Sequence, residues 1–179
     1  MSVLLPLAYL LTPLAQDTLY LNNNHELCGE TEARYYRIEQ GNGRGQSYTF
    51  DHILHRKGQM IDGKPHGQFV YYHPNGAVKS IQYFDQGKKM GRWQWWYDNG
   101  LLMEEGYWEV VAEGQSERER FKLKSYYNRI GYQLIKNGNG TYIQYDENGK
   151  ITAKGTYSDG FLVGDWTRTD ASDQVAMED

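Results

Sequence analysis

A unit of 24 residues that repeats in register limits what this chain can fold into. The stretch starting at Gly67 reads GQFVYYHPNGAVKSIQYFDQGKKM, and the next, starting at Gly91, reads GRWQWWYDNGLLMEEGYWEVVAEG. Phe69 falls on Trp93, Tyr71 on Trp95, Tyr72 on Trp96, Asn75-Gly76 on Asn99-Gly100 and Phe84 on Trp108, all at an offset of 24 (91 − 67, 99 − 75). A third copy, Gly140 to Gly164, keeps Tyr142, Tyr145, Asn148-Gly149, Tyr157 and Gly160 in place. Self-similarity at 20 to 50 residues marks an array of supersecondary units.

Each copy reads as one β-hairpin. A strand of aromatic and β-branched residues reaches Asn-Gly, which tolerates the positive φ angles of a tight turn, and a second strand leads to glycines four apart, Gly63 with Gly67 or Gly87 with Gly91. The period of two puts Phe69 and Tyr71 on one face and Val70 and Tyr72 on the other, so neither face is wholly solvated. Twenty glycines and sixteen tyrosines against four prolines agree with a turn-dense β chain. The expected fold is an elongated, antiparallel, all-β array of five hairpins, about ten strands, over residues 48–166. Residues 48–67 supply a degenerate first copy, and the array is interrupted by an insert at 110–139. Within the insert Glu113 to Arg120 reads as a charged loop, Phe121 to Tyr127 as a strand, and Asn128 to Gly131 as an altered turn.

Residues 1–15 carry no charged side chain and resemble a secretory apolar segment cleaved before Gln16, although no Lys or Arg precedes the run. The segment is too short to span a bilayer. An exported, periplasmic protein is the expectation. Residues 16–47 read as an N-terminal cap with strands at Thr18–Leu21 and Tyr35–Ile38, and residues 167–179 as an acidic tail. Cys28 is the single cysteine, so no internal disulfide forms.

The glycines and aromatics that recur together, Gly-x-Trp-x-x-Trp-Tyr-x-Asn-Gly followed by an aromatic and Gly-x-x-x-Gly, resemble the MORN-variant repeat. In particular they are similar to the bacterial group labelled as YwqK-family antitoxin. The resemblance covers about Tyr48 to Trp166. It implies a hairpin array without an enzymatic site, and no agreed ligand. Val111 departs from it, standing where Gly87 and Gly160 predict a glycine.

Little chemistry competes with that reading. Gly41-Asn42-Gly43-Arg44-Gly45 is followed by a strand, Ser47 to Phe50, where a nucleotide loop would open a helix. His52 and His55, three apart, would point to opposite faces on a strand and cannot share a metal without a turn between them. Glu104 and Glu105 alternate faces and read as solvated charge. Neither a nucleophile elbow nor a convergent acid and base occurs, so neither catalysis nor a cofactor is expected. A net charge of −4 argues against nucleic acid and against anionic lipid, so membrane association is not expected.

The aromatic run Trp93, Trp95, Trp96, Tyr97 is either core or recognition surface. Phe69, Trp93, Tyr142 and Trp166 each follow a repeat glycine by two and are always aromatic. The next position on the same face varies as Tyr71, Trp95, Gln144 and Arg168, which a sealed core would not accept. The first set is therefore assigned to structure, and Tyr71, Trp95 and Tyr97 are the candidate partner-binding residues. The function expected is an exported, non-catalytic module that binds another protein, in sharper form an immunity or antitoxin protein. The alternative is a glycan or peptidoglycan binder that uses tryptophans as platforms.

Overall fold

The computed structural model describes residues 18–40, 42–113, 116–146 and 148–168. The proposed export segment and most of the proposed tail lie outside them. The described chain forms one antiparallel sheet in which every strand pairs with its neighbour in sequence. The strands are β1 (Thr18–Leu21), β2 (Tyr35–Gln40), β3 (Arg44–Thr49), β4 (Leu54–Ile61), β5 (Lys64–Tyr72), β6 (Val78–Asp85) and β7 (Lys88–Trp96). They continue as β8 (Leu102–Glu113), β9 (Ser116–Tyr127), β10 (Gln133–Lys136), β11 (Asn139–Tyr145), β12 (Ile151–Ser158) and β13 (Phe161–Arg168), and the only helix among the described residues is one 3-10 turn, Glu30–Glu32. Ten strands, β4 to β13, are the expected array. The residues read as a cap add three more to the same sheet, extending its open edge instead of covering it.

Two kinds of turn alternate along the sheet's two long margins. On one margin lie two-residue turns at Asp62-Gly63, Gln86-Gly87, Asn137-Gly138 and Asp159-Gly160, with φ near 50° at the first residue and 74° to 91° at the second. Two consecutive positive φ values match the right-handed twist of the flanking strands. The opposite margin carries the repeat Asn-Gly dipeptides Asn75-Gly76, Asn99-Gly100 and Asn148-Gly149, and there the turn is wider than the tight two-residue form. His73 N–H donates to Ala77 O at 2.8 Å and Gly76 N–H to His73 O at 2.9 Å, so a three-residue loop closes the hairpin and only the glycine takes positive φ, 84°. Pro74 occupies the position whose φ it presets. Asn75 turns its amide outward, donating to Asp98 O of the next turn at 2.7 Å, and Asn99 repeats this toward Arg129 O at 3.0 Å. The asparagines thus tie neighbouring turns together.

The glycines four apart divide their work. The first, Gly63 or Gly87, lies in the tight turn, while the second, Gly67 or Gly91, lies inside the following strand. There its positive φ, 71° or 63°, opens a bulge. Between the pairs Gln59↔His66 and Lys57↔Val70, Gly58 alone faces Gly67, Gln68 and Phe69. The bulge drives the aromatic two residues later over the facing glycine. A Cβ on Gly58 would lie 2.5 Å from the Phe69 ring, and one on Gly155 would lie 2.5 Å from Trp166. This interlock explains why an aromatic always follows the repeat glycine by two. Phe69 and Trp93 are accordingly sealed, at 0% and 6% exposure, and Trp93 Nε1 donates to Tyr83 O at 3.0 Å.

The strands described within the insert belong to the same sheet. Ser116 to Arg120, read as loop, belongs to β9, which pairs with β8 from Glu104↔Tyr126 to Glu113↔Ser116. Alternating charges hid the strand: Arg120 pairs with Glu109 across it at 2.7 Å, while Glu117 meets Lys88 at 3.2 Å. β10 and β11 are short, so the Asp159-Gly160 turn reaches past them to β9, where Leu123 N–H donates to Gly160 O at 3.0 Å. Leu123, Tyr126 and Ile135 form the buried core beside this contact.

Candidate functional site

Residues opposite one another in register share a face, and one row crosses eight strands. It runs Arg37, Ser47, Arg56, Tyr71, Ser80, Trp95, Glu104, Tyr126, from β2 to β9. Beside it Phe69, Phe84, Trp93, Trp108 and Phe121 form a ladder with ring centroids 5.1 to 5.5 Å apart. Rings spaced so and mostly tilted gain edge-to-face attraction beyond their burial. This aromatic face is continued by Tyr126, Tyr142 and Trp166, at 4.2 and 5.3 Å.

Two of the three expected partner-binding residues lie in the row. Tyr71 and Trp95 are both half-buried and flank Ser80, two strand spacings apart. Trp95 meets Phe121 edge-on at 5.6 Å, and a side chain on Gly106 would collide with the Phe121 ring. Tyr97 stands apart from them, in the turn after β7. Its hydroxyl donates to Tyr127 O at 2.9 Å, and Arg129, paired with Asp98, lies 5.6 Å above its ring. Of the residues assigned to structure, Tyr142 and Trp166 are only partly buried.

Sequence reasoning missed the polar members of the row. Arg37 is 2% exposed, donating to Glu39 Oε1 at 2.7 Å and to Gly43 O and Gly58 O, yet its Nη1 has no protein partner among the described residues. Ser47 Oγ and Arg56 Nε, directly beside it, are likewise buried without one. His25, Tyr35 and His55 stack next to them, with centroids 4.5 to 5.1 Å apart. Burial and the nearby Arg56 lower His25 to about 4 and push His55 below its ordinary value, so both rings are neutral at pH 7. His52 is elsewhere, its Nδ1 2.6 Å from the Tyr36 hydroxyl.

The two glutamates do alternate faces, but neither is the solvated charge expected. Glu105 is 7% exposed on the opposite, more polar face, held by Arg92 and, at 3.6 Å, by Lys124. Glu104 is partly buried among the rings, and burial raises its carboxyl to about 7. The 24-residue offset carried the signal, since it sets Glu104 on Ser80, 2% exposed, and Glu105 on Ile81. The polar face has a groove of about 580 Å³ lined by Gln46, Lys57, His66 and Gln68. Next to it Tyr83, Met90 and Tyr107 are exposed.

Two segments of the chain match the MORN repeat variant. They are residues 65–86 and 138–159, and each takes in one hairpin, β5–β6 and β11–β12, from one tight turn to the next. β7–β8, between them, has the same turn, bulge and aromatic positions. No curated protein matches the chain.

Proposed function

We propose that this protein is a non-catalytic binding module whose aromatic face receives another protein. MORN repeats generally serve in protein or membrane binding. The observation that carries the protein reading is the row itself. Half-buried Tyr71 and Trp95 stand there beside buried polar atoms that have no partner among the described residues, Arg37 Nη1, Ser47 Oγ and Arg56 Nε, and beside the Glu104 carboxylate. Buried polar groups are normally satisfied, and rings of this type concentrate binding energy at interfaces, so a protein laid along the row would complete both. A net charge of −4 disfavours anionic lipid and nucleic acid as the target. Export to the periplasm, on the apolar residues 1–15, and an immunity or antitoxin role are the sharper form of the proposal.

The test is capture by the immobilised full chain, quantified for the wild type, Tyr71→Ala/Trp95→Ala, and Met90→Ala on the polar face. A protein whose capture falls at least tenfold in the double variant and persists with Met90→Ala supports the reading. Loss confined to Met90→Ala overturns it. So does retention on purified cell wall that depends on Trp95, since that outcome belongs to a glycan binder. Growth rescue against a toxin encoded beside the gene tests the antitoxin form.

A further inference from the structure

Glu104 stands at the middle of the aromatic face in a setting that stability alone does not favour. Trp95 on β7 is opposite it on one side and Tyr126 on β9 on the other. Trp95 is braced by Phe121 at 5.6 Å, and Tyr126 by Tyr142 at 4.2 Å. Two of the hydroxyls around it are committed elsewhere, Tyr126 to Ile143 O at 3.0 Å and Tyr97 to Tyr127 O at 2.9 Å. Neighbouring cations are also engaged, because Arg129 pairs with Asp98, while Arg92 and Lys124 hold Glu105 on the opposite face. No described group donates to Glu104 or forms an ion pair with it.

Desolvating a carboxylate without a partner is costly, and an aromatic ring beside it supplies no strong donor to its oxygens. Both features favour a cation. Trp95, half-buried beside Glu104, offers a ring on which one ammonium or guanidinium can rest within about 6 Å while it meets the carboxylate, and Tyr126, 3% exposed, closes the far side. We propose that Glu104, walled by Trp95 and Tyr126, is the receptor for a lysine or arginine side chain of the protein partner. The aliphatic stem would lie along the Trp95 ring and the charged head on the carboxylate, as such side chains do at interfaces. The inference rests on the aromatic face being the partner-binding face, and it names the chemistry that face selects.

Ligation of a cation withdraws the proton that burial otherwise favours on Glu104. The titratable groups electrostatically coupled to it are the phenols of Tyr97, Tyr142 and Tyr157, with Tyr126 opposite it in register. All four are raised above their ordinary value, so they stay neutral from pH 5.5 to 8. Glu105, Arg92 and Lys124 lie behind the sheet. Affinity for a cation therefore rises about thirtyfold across that interval, following the ionisation of one group that titrates at about 7.

The experiment is a nuclear magnetic resonance titration of the full chain with acetyl-Gly-Ser-Lys-Ser-Gly-amide and with the same peptide carrying norleucine. The Trp95 indole N–H reports. The lysine peptide is expected to bind at least tenfold tighter than the norleucine one and to gain affinity from pH 5.5 to 8. Glu104→Gln, isosteric and relieved of a desolvated charge, is expected to remain folded and lose both the preference and the pH dependence. Equal binding of the two peptides overturns the cation receptor and leaves the aromatic face as a binding surface. Undiminished lysine preference in Glu104→Gln also overturns it, as does a Trp95 signal that neither peptide moves. In the last case the capture assay still decides the broader proposal.

Discussion

Glu104 and His25 oppose each other in acid, and separating them tests the electrostatics of the aromatic face. Glu104 has an ordinary value of 4.5 and a folded value of about 7, so the native state binds its proton more tightly than the unfolded chain. Its contribution is fully present below pH 4.5 and is lost as pH rises through 7. That difference corresponds to about 3 kcal/mol. His25 moves the other way, from 6.5 to about 4, so its contribution is present above pH 6.5 and lost as pH falls through 4. Partial exposure of that ring screens the effect, leaving about 1 to 2 kcal/mol. His55 acts in the same direction as His25. On acidification from pH 7 to 4.5 the wild type therefore gains from one group what it loses to the others, and its stability stays nearly flat. Glu104→Gln removes the gain, so its unfolding free energy should fall by about 1 to 2 kcal/mol over that interval. His25→Asn, suited to the φ of 62° at that position, should instead rise toward acid. Urea unfolding at four pH values with a constant m-value measures both. A Glu104→Gln profile parallel to the wild type refutes the assignment of a desolvated carboxyl to this position.

Three further outcomes follow from the packing. Trp93→Ala empties a sealed site and leaves Tyr83 O unpaired, so it should cost about 3 to 5 kcal/mol. Trp95→Ala should cost clearly less and reduce binding more, and equal losses of melting temperature would mean that the tryptophans are simply core. Gly58→Ala sets a methyl 2.5 Å from the Phe69 ring, and a melting temperature at or above the wild type would show that the bulge interlock is not rigid. Asn99→Ala removes both the bond to Arg129 O and the acceptor for Leu101 N–H, so about 1 kcal/mol should be lost. Hydrogen exchange at Leu101 should quicken, and an unchanged rate would argue against the turn-to-turn tie.

What the sequence made legible is what steric exclusion dictates. Glycine four before glycine, with an aromatic two further on, has one solution once the strand bulges, because the Phe69 ring needs the space that Gly58 leaves empty. The hairpin order, the antiparallel sheet and the burial of Phe69 and Trp93 follow from that. Charge was misread for a related reason. In β9 the run Ser116 to Arg120 is polar on both faces, so its strand character comes from cross-strand partners such as Glu109 with Arg120, which the local composition does not display. Arg37 and Arg56 look like surface cations until register sets both beside Ser47 on one face. Glu104 poses the sharper problem, since a carboxylate in that row has the same sequence signature whether water or rings surround it. Its copy positions distinguish the two: Ser80 is small enough to vanish between Tyr71 and Trp95, whereas Glu104 projects from the same kind of slot into the rings. An array that keeps a charged group where an earlier copy has a small buried one lowers its own stability at neutral pH by the Glu104 linkage. The site therefore gains only from what binds there, and a cation is the ligand that returns that free energy.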